Sequence, residues 1–364
     1  MKLRRYFRML AGTAIGFVAA LAVLEAVLRI LPIQNGIRAA DPDEAWPVHH
    51  LVPNTDLTWS AGWDMTHRTY SHTNSSGYVA PFDYVAGTPI VAVLGDSYVE
   101  SLMNPYPATI QAQLAKRVRE GVAVYNFGIG SSALPDYLGV ARLVADRYKV
   151  EGAVVVVSEG DFVEGFFGHP GHFFWTPDRA DEAVALQPDE LRSPLKKTLR
   201  ELALFRYARG NLKLNLNTLF KSHLHDESVG CADDRLSSGD EAVVRAFSDK
   251  LPEALGLSPE RIVLVFDSQS ARRAIYAGPG REGPRSCRTR DGLALELLAR
   301  EARASGMKTV RMADVFAEHF ARTRERVDHS PEDWHWNATG HRLAAAAAAR
   351  ALERGEHVST GTAH

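Results

Sequence analysis

The stretch Ile90-Val91-Ala92-Val93-Leu94-Gly95-Asp96-Ser97 decides the reading of this chain. Residues 90–94 are apolar without alternation. A short continuous run of this kind marks a strand buried on both faces of a parallel sheet. It ends in a Gly-Asp turn that leads straight to Ser97. Such a turn exposes the hydroxyl, and a backbone N–H in the same turn can face a developing negative charge. The stretch is not the G-x-S-x-G elbow, and Gly-Asp-Ser alone is a common tripeptide.

The same pattern recurs outward from this point. The sequence predicts a helix over about 108–119, a strand over Val122–Phe127 and a helix over Asp136–Tyr148, with Pro135 in its first turn. A third apolar strand covers Ala153–Val157. An irregular segment follows from about 161 to 256. It holds the aromatic residues Phe162, Phe166, Phe167, Phe173, Phe174 and Trp175 and a helical stretch near 196–212. The pattern resumes with a strand over Arg261–Asp267, a helix over Gly292–Ser305, a weaker strand over Lys308–Ala313 and a final helix over Ala338–Glu353. No internal repeat is visible. Alternation of this kind predicts an α/β fold, a three-layer α/β/α sandwich with about five parallel strands. Right-handed crossovers then place functional loops at the carboxyl ends of the strands.

Composition narrows the class. The chain has 364 residues, 42 Lys and Arg against 44 Asp and Glu, and a net charge of −2. That balance, with no long basic stretch, argues against nucleic acid as a partner. The two cysteines, Cys231 and Cys287, exclude a disulfide-dense scaffold and a four-cysteine zinc site. At the N-terminus Lys2, Arg4, Arg5 and Arg8 precede the uncharged run Met9–Leu24, which continues past Glu25 and Arg29 to Ile33. A cationic cluster before an apolar stretch is a membrane anchor or a signal peptide. Ala20-Leu21-Ala22 is a candidate cleavage site. Glu25 and Arg29, four apart, can pair at the far interface of a spanning helix. The expected organisation is a cytoplasmic N-terminus at 1–8, an anchor or signal sequence at 9–33 and a connector at 34–87. The main domain follows at 88–353, with an insertion around 162–256, and then a polar tail at 354–364. The positive-inside rule places the bulk of the chain outside the cytoplasm. There Cys231 and Cys287 are candidates for a disulfide or two free thiols.

A second segment carries chemistry: Asp333-Trp334-His335-Trp336-Asn337-Ala338-Thr339-Gly340-His341. A serine nucleophile needs a base, and the base needs a carboxylate to orient it. Asp333 and His335, two apart on an irregular loop, can supply both. Alternatively Asn337 is only a helix cap and His335 a surface residue. Asp333, His335, His341 and His329 as metal ligands form a rival reading, but they lack the same-face spacing of H-E-x-x-H. No metal and no cofactor is expected. Arg272, Arg273 and Tyr276, after the fourth strand, are candidate contacts for an anionic substrate. The aromatic stretch 162–175 is a candidate groove wall, lid or packed cluster.

Taken together, Gly95-Asp96-Ser97 and the extended block Asp-x-His-Trp-Asn-x-x-Gly-His resemble the SGNH/GDSL hydrolase superfamily over roughly 88–353, in particular its membrane-anchored, exported members. The resemblance implies a flavodoxin-like sandwich with Ser97 as nucleophile, His335 as base and Asp333 as its orienting partner. It implies an oxyanion hole from the N–H groups of Ser97 and Gly130, with Ser131 or Gly128 as alternatives. Its third block normally carries asparagine, and here Gly160 stands in that place in Ser158-Glu159-Gly160-Asp161. Asn126, a water or the Gly160 N–H then becomes the replacement donor. Asn126 and Asp96 are candidate substrate contacts. The implied activity is hydrolysis of O-acyl esters on an extracytoplasmic carbohydrate. The same triad also serves an O-acetyltransferase, and a catalytically weak glycan-binding scaffold is the non-enzymatic alternative.

Overall fold

The computed structural model describes residues 2–35, 39–40, 42–43, 46–168, 171–176, 179–185, 198–199, 201–214, 235–277, 289–330 and 333–353. Cys231, Cys287 and His169 lie outside these, so the disulfide reading does too. The chain divides into two compact units, one of Met1–Ile37, Leu57–Tyr70 and Arg192–Leu224, the other of the remainder.

The larger unit is built, in chain order, from β1 (Pro89–Gly95), α1 (Ser97–Glu100), α2 (Ile110–Ala115), β2 (Ala123–Gly128), α3 (Leu134–Arg147), β3 (Lys149–Val157) and α4 (Asp161–Glu164). It continues with α5 (Ser238–Leu255), β4 (Ile262–Phe266), α6 (Gln269–Ala277), α7 (Arg290–Ala304), β5 (Lys308–Arg311), α8 (Met312–Thr323) and α9 (Ala338–Glu353). The five strands form one sheet in the order β5-β4-β3-β1-β2, every pair parallel. This is the flavodoxin-like order, with its switch point beside β1.

Residues on β1 to β4 alternate between two buried faces. Val91, Val93, Val124, Val154, Val156, Val263 and Val265 share a core with Met312 and Phe316 of α8 and with the buried alanines of α9. The alanine run 344–349 lets α9 lie close to the sheet. The intervening strand residues, such as Leu94, Val155 and Leu264, are equally buried on the other face, where α3 and α7 contact the strands and α5 packs against both helices. Gly95 pairs with Gly128, and Phe266 pairs with Val157. The carboxyl ends of β1 to β4 therefore align along one edge.

Strand positions agree with the sequence reading to within a few residues. Three helices do not. α5 lies inside the segment read as irregular; its start is a capping box in which Ser237 Oγ accepts from Asp240 N and Asp240 accepts from Ser237 N. α6, and α8 beyond Ala313, lie in stretches for which the sequence predicts no element. α8 begins at Met312, directly after β5, and cuts the expected fifth strand short. The connector also divides. Ala39–Ala40 pairs antiparallel with His50–Leu51 in the larger unit, whereas 57–70 belongs to the smaller one.

In the smaller unit, the helix Lys2–Ile30 is followed by a two-stranded sheet formed by residues 57–61 and 67–70. A short helix, Ala203–Arg206, runs into a π-helical turn, Tyr207–Asn211. The stretch Tyr6–Ile30 is long and apolar enough to cross a membrane, as a signal sequence also is.

Candidate active site

Ser97 opens α1, two residues beyond the end of β1. The one-turn helix fits because Gly95 and Gly128 have no side chains. A Cβ on Gly95 would stand 2.5 Å from Val99 Cγ2, and one on Gly128 would stand 2.5 Å from Val99 Cβ and 2.7 Å from Glu100 N. Asp96 caps the turn, its Oδ1 accepting from Tyr98 N at 2.9 Å. The turn closes at Ser101, a non-glycine residue at φ +55°, whose Oγ lies 3.0 Å from His341 Nε2.

The loop between α8 and α9 brings His335 to this serine. His335 Nε2 lies 2.8 Å from Ser97 Oγ. His335 Nδ1 is hydrogen-bonded to Asp333 Oδ1, which also accepts the His335 backbone N–H at 2.9 Å. The Asp333 side chain is more buried than the His335 ring, 11% against 27% exposed. With Nδ1–H donating to the carboxylate, Nε2 is the free acceptor for the serine proton. Serine, base and orienting acid thus lie in one hydrogen-bonded line.

The other expected donors are placed differently. The Gly128 N–H donates to Asn126 Oδ1 at 2.8 Å, and the Glu100 carboxylate lies close to Gly130, 3.0 Å from where a Cβ on it would stand. Ser131 is the third alternative. It is exposed and holds φ +65°, a left-handed conformation that non-glycine residues seldom adopt away from strained functional turns. Asn126 does not substitute for the absent block-three amide. It is buried, and its Nδ2 donates to Val79 O at 3.1 Å. Gly160 adopts φ +116°, ψ −35°. A side chain is strained in that conformation, which accounts for the glycine at this position. Asp96 is buried beneath the turn rather than open to a substrate.

Beneath Ser97 lies a carboxyl pair that the sequence did not suggest. Ser158 Oγ is 2.9 Å from Asp96 Oδ2 and 2.7 Å from Asp161 Oδ1. Asp161 Oδ2 accepts from Ser158 N at 2.8 Å and from Tyr137 OH at 2.7 Å. Burial pushes both acids above the usual carboxylate range, Asp161 well above it, where the neighbouring Asp96 charge adds to the effect. Burial also pushes Glu100 up to about 7, partly offset by the Gly130 N–H.

The acid–base loop is braced from behind by Arg272, which is fully buried. It pairs with Asp267 and with Asp328, the latter at 3.4 Å. It also donates to Tyr98 OH at 2.7 Å and to Trp334 O at 2.5 Å. The Tyr98 ring in turn lies 4.9 Å from the His335 ring. The expectation that Arg272 meets an anionic substrate is therefore corrected. Arg273 stacks over Trp334 at 4.4 Å, and Tyr276 OH accepts from Val327 N. Within the aromatic stretch, Phe162 and Trp175 are buried and pack with Phe166, which makes them core rather than groove wall.

The remaining motif residues hold the loop. Asn337 Oδ1 accepts from Thr339 N and Gly340 N at the start of α9. His341 Nδ1 accepts from Ile110 N at 3.1 Å, so its Nε2–H donates to Ser101. Burial depresses His341 to about 3 and keeps it neutral. His329 Nε2 lies 3.2 Å from Asn104 Oδ1.

No family model matches the chain, and no curated protein matches it. Among solved structures it is similar to a two-domain esterase (CEX) active on acetylated mannans, co-crystallised with mannopentaose. Identity there is 14%, over 74% of this chain and 50% of that one, with a TM-score of 0.37. It is also similar to a lipolytic protein of the G-D-S-L family from Veillonella parvula (12%, 73% and 99%, 0.37). A third is the lipase/acylhydrolase from Enterococcus faecalis (12%, 74% and 96%, 0.36). This chain spans half the length of the first of these. The likenesses are distant, and the side chains of the site carry the functional reading.

Proposed function

We propose that the chain is a serine ester hydrolase of SGNH type that acts on O-acyl esters of an extracytoplasmic carbohydrate. The observation that supports this most is the line Ser97 Oγ, His335 Nε2, His335 Nδ1, Asp333 Oδ1. His335 takes the Ser97 proton as Oγ attacks the ester carbonyl carbon. The carbonyl π-pair moves onto oxygen, giving a tetrahedral oxyanion. Its donors are the N–H groups of Ser97 and Gly160, for which the described residues show no acceptor, together with that of Gly130 or Ser131. Collapse expels the alkoxide, which takes the proton from His335, and leaves Ser97 acylated. Water, deprotonated by His335, then releases the acid and restores the serine.

The carbohydrate part of the reading draws on the apolar N-terminal helix, which suits an anchored or exported enzyme. Transfer of the acyl group to a sugar hydroxyl would use the same residues, with the acceptor alone distinguishing it. The test is turnover of p-nitrophenyl acetate by the full chain in detergent. Ser97→Ala and His335→Ala should each lose at least about 10³-fold in kcat while keeping the wild-type circular dichroism spectrum. Equal turnover in all three would refute the assignment; a folded wild type with no turnover would favour the glycan-binding reading.

A further inference from the structure

The charged interruption of the N-terminal helix plays no part in the chemistry, yet it is built into the smaller unit. Glu25 pairs with Arg29 at 2.8 Å. Its two carboxylate oxygens also accept the backbone N–H groups of Ala203 at 2.9 Å and Leu204 at 2.8 Å. Leu28 and Ile33 are buried with Ala203, packed by Met65, Leu204 and Tyr207. The segment that follows is tied to the residues just beyond the helix. Asn211 Oδ1 accepts from Gln34 N at 3.0 Å, and its Nδ2 donates to Ser60 Oγ at 2.7 Å. Tyr207 OH donates to Trp63 O at 2.7 Å.

These bonds fix a depth. Tyr6, where the apolar stretch begins, lies 19 residues before Glu25. At ~1.5 Å per residue that is about 29 Å, close to the ~30 Å thickness of a bilayer's hydrocarbon core. If the helix spans, Ala203 and Leu204 stand at the far hydrocarbon boundary. The unit's surface suits that level. Outside the N-terminal helix, nine large apolar residues among those described are exposed. Six belong to this smaller unit: Leu31, Trp63, Tyr70, Leu202, Leu212 and Leu214. Exposed Arg29, Arg68 and Arg209 accompany them. Exposed tryptophan, tyrosine, arginine and leucine in one small unit have the composition of a membrane-interface belt.

We infer that residues 202–214 and the turn at Trp63 form a collar, held to the N-terminal helix by Glu25, that lies in the phospholipid interface on the far side of the membrane. Glu25 is then the acceptor that fastens the collar at its level, and its charge is met by Arg29 and two amides. The inference rests on the helix spanning a membrane and is independent of the esterase reading.

The test uses the full chain in vesicles of phosphatidylethanolamine and phosphatidylglycerol. The fluorescence lost in Trp63→Phe is the Trp63 signal; the five other tryptophans cancel in the difference. The collar predicts that lipids brominated near the glycerol end of the acyl chain quench this signal at least twofold and that aqueous iodide leaves it nearly unchanged. Quenching by iodide alone would place Trp63 in water and overturn the inference. Shielding from both quenchers would overturn it in favour of a protein partner or a second copy. An alkaline carbonate wash separates the premise: release from the vesicles would show that the helix does not span, whereas retention with an iodide-quenched Trp63 would refute the collar itself.

Discussion

Arg272→Met tests the brace behind the acid–base loop. The methionine fills much of the arginine stem's volume but removes the cation. Asp328 keeps Arg326 at 3.5 Å. Asp267 has no such second partner: its Oδ2 pairs with Arg272, and its Oδ1 has no hydrogen-bond partner among the described residues. One buried carboxylate is therefore stranded. Removing one partner of a buried ion pair costs about 3–5 kcal/mol. At about 2–4 °C per kcal/mol for a domain of this size, Tm should fall by about 6–20 °C. The sign of the pH effect follows. Protonating the stranded acid removes its charge, so the deficit should be largest near pH 8 and shrink toward pH 5. Arg272→Met with Asp267→Asn should recover most of the loss, because the amide carries no charge to strand. Calorimetry of the full chain in detergent at the two pH values measures all of this. A Tm within about 2 °C of wild type at pH 8, or a deficit that does not change with pH, would refute the reasoning.

Three further predictions follow from the site. Gly160→Asn, which introduces the asparagine expected from the sequence resemblance, should destabilise by about 1–3 kcal/mol through backbone strain at φ +116°, and it should not raise turnover; paired melting curves and rates decide this. Burial raises Asp161 well above its unfolded value. Its contribution is present below the unfolded pKa and lost as pH rises through the folded one, so Asp161→Asn should flatten the fall in Tm between pH 5 and pH 9, whereas a parallel fall would contradict the upward shift. His341, depressed to about 3, contributes stability that is present above the unfolded histidine pKa of about 6.5 and lost as pH falls toward 3, by up to about 1.4 kcal/mol per pH unit. His341→Gln should remove that acid limb even if it lowers Tm throughout; an unchanged limb would rule out the neutral-histidine account.

Those residues also show what the sequence could and could not carry. The strands were legible because residues such as Val154–Val157 are buried on both faces, which leaves an uninterrupted apolar run. Ser97 stood out because it follows a buried strand directly, and Asp333 and His335 because they stand two apart in one segment ahead of the last helix. α8 was missed although Met312, Phe316, His319 and Phe320 fall at helical spacing, because β5 runs into it without a turn. Arg272 read as a surface arginine. Its burial depends on Asp267, five residues before it, together with Asp328, 56 residues after it, and no local pattern announces that meeting. Glu100 and Gly130 are the same kind of case. A carboxylate one turn after the serine would ordinarily be solvated, and only the fold buries it beside Gly130. The glycine at 160 was visible as a departure, and its positive φ supplies the physical reason.

The central claim is that His335, aligned by Asp333, activates Ser97. Its most direct measurement is covalent labelling of the full chain by a fluorophosphonate, with the modified residue located by peptide mass spectrometry. The account predicts a single adduct on Ser97 that is absent in Ser97→Ala and forms far more slowly in His335→Ala. A folded wild-type protein that takes no label, or takes it on another serine, would contradict it.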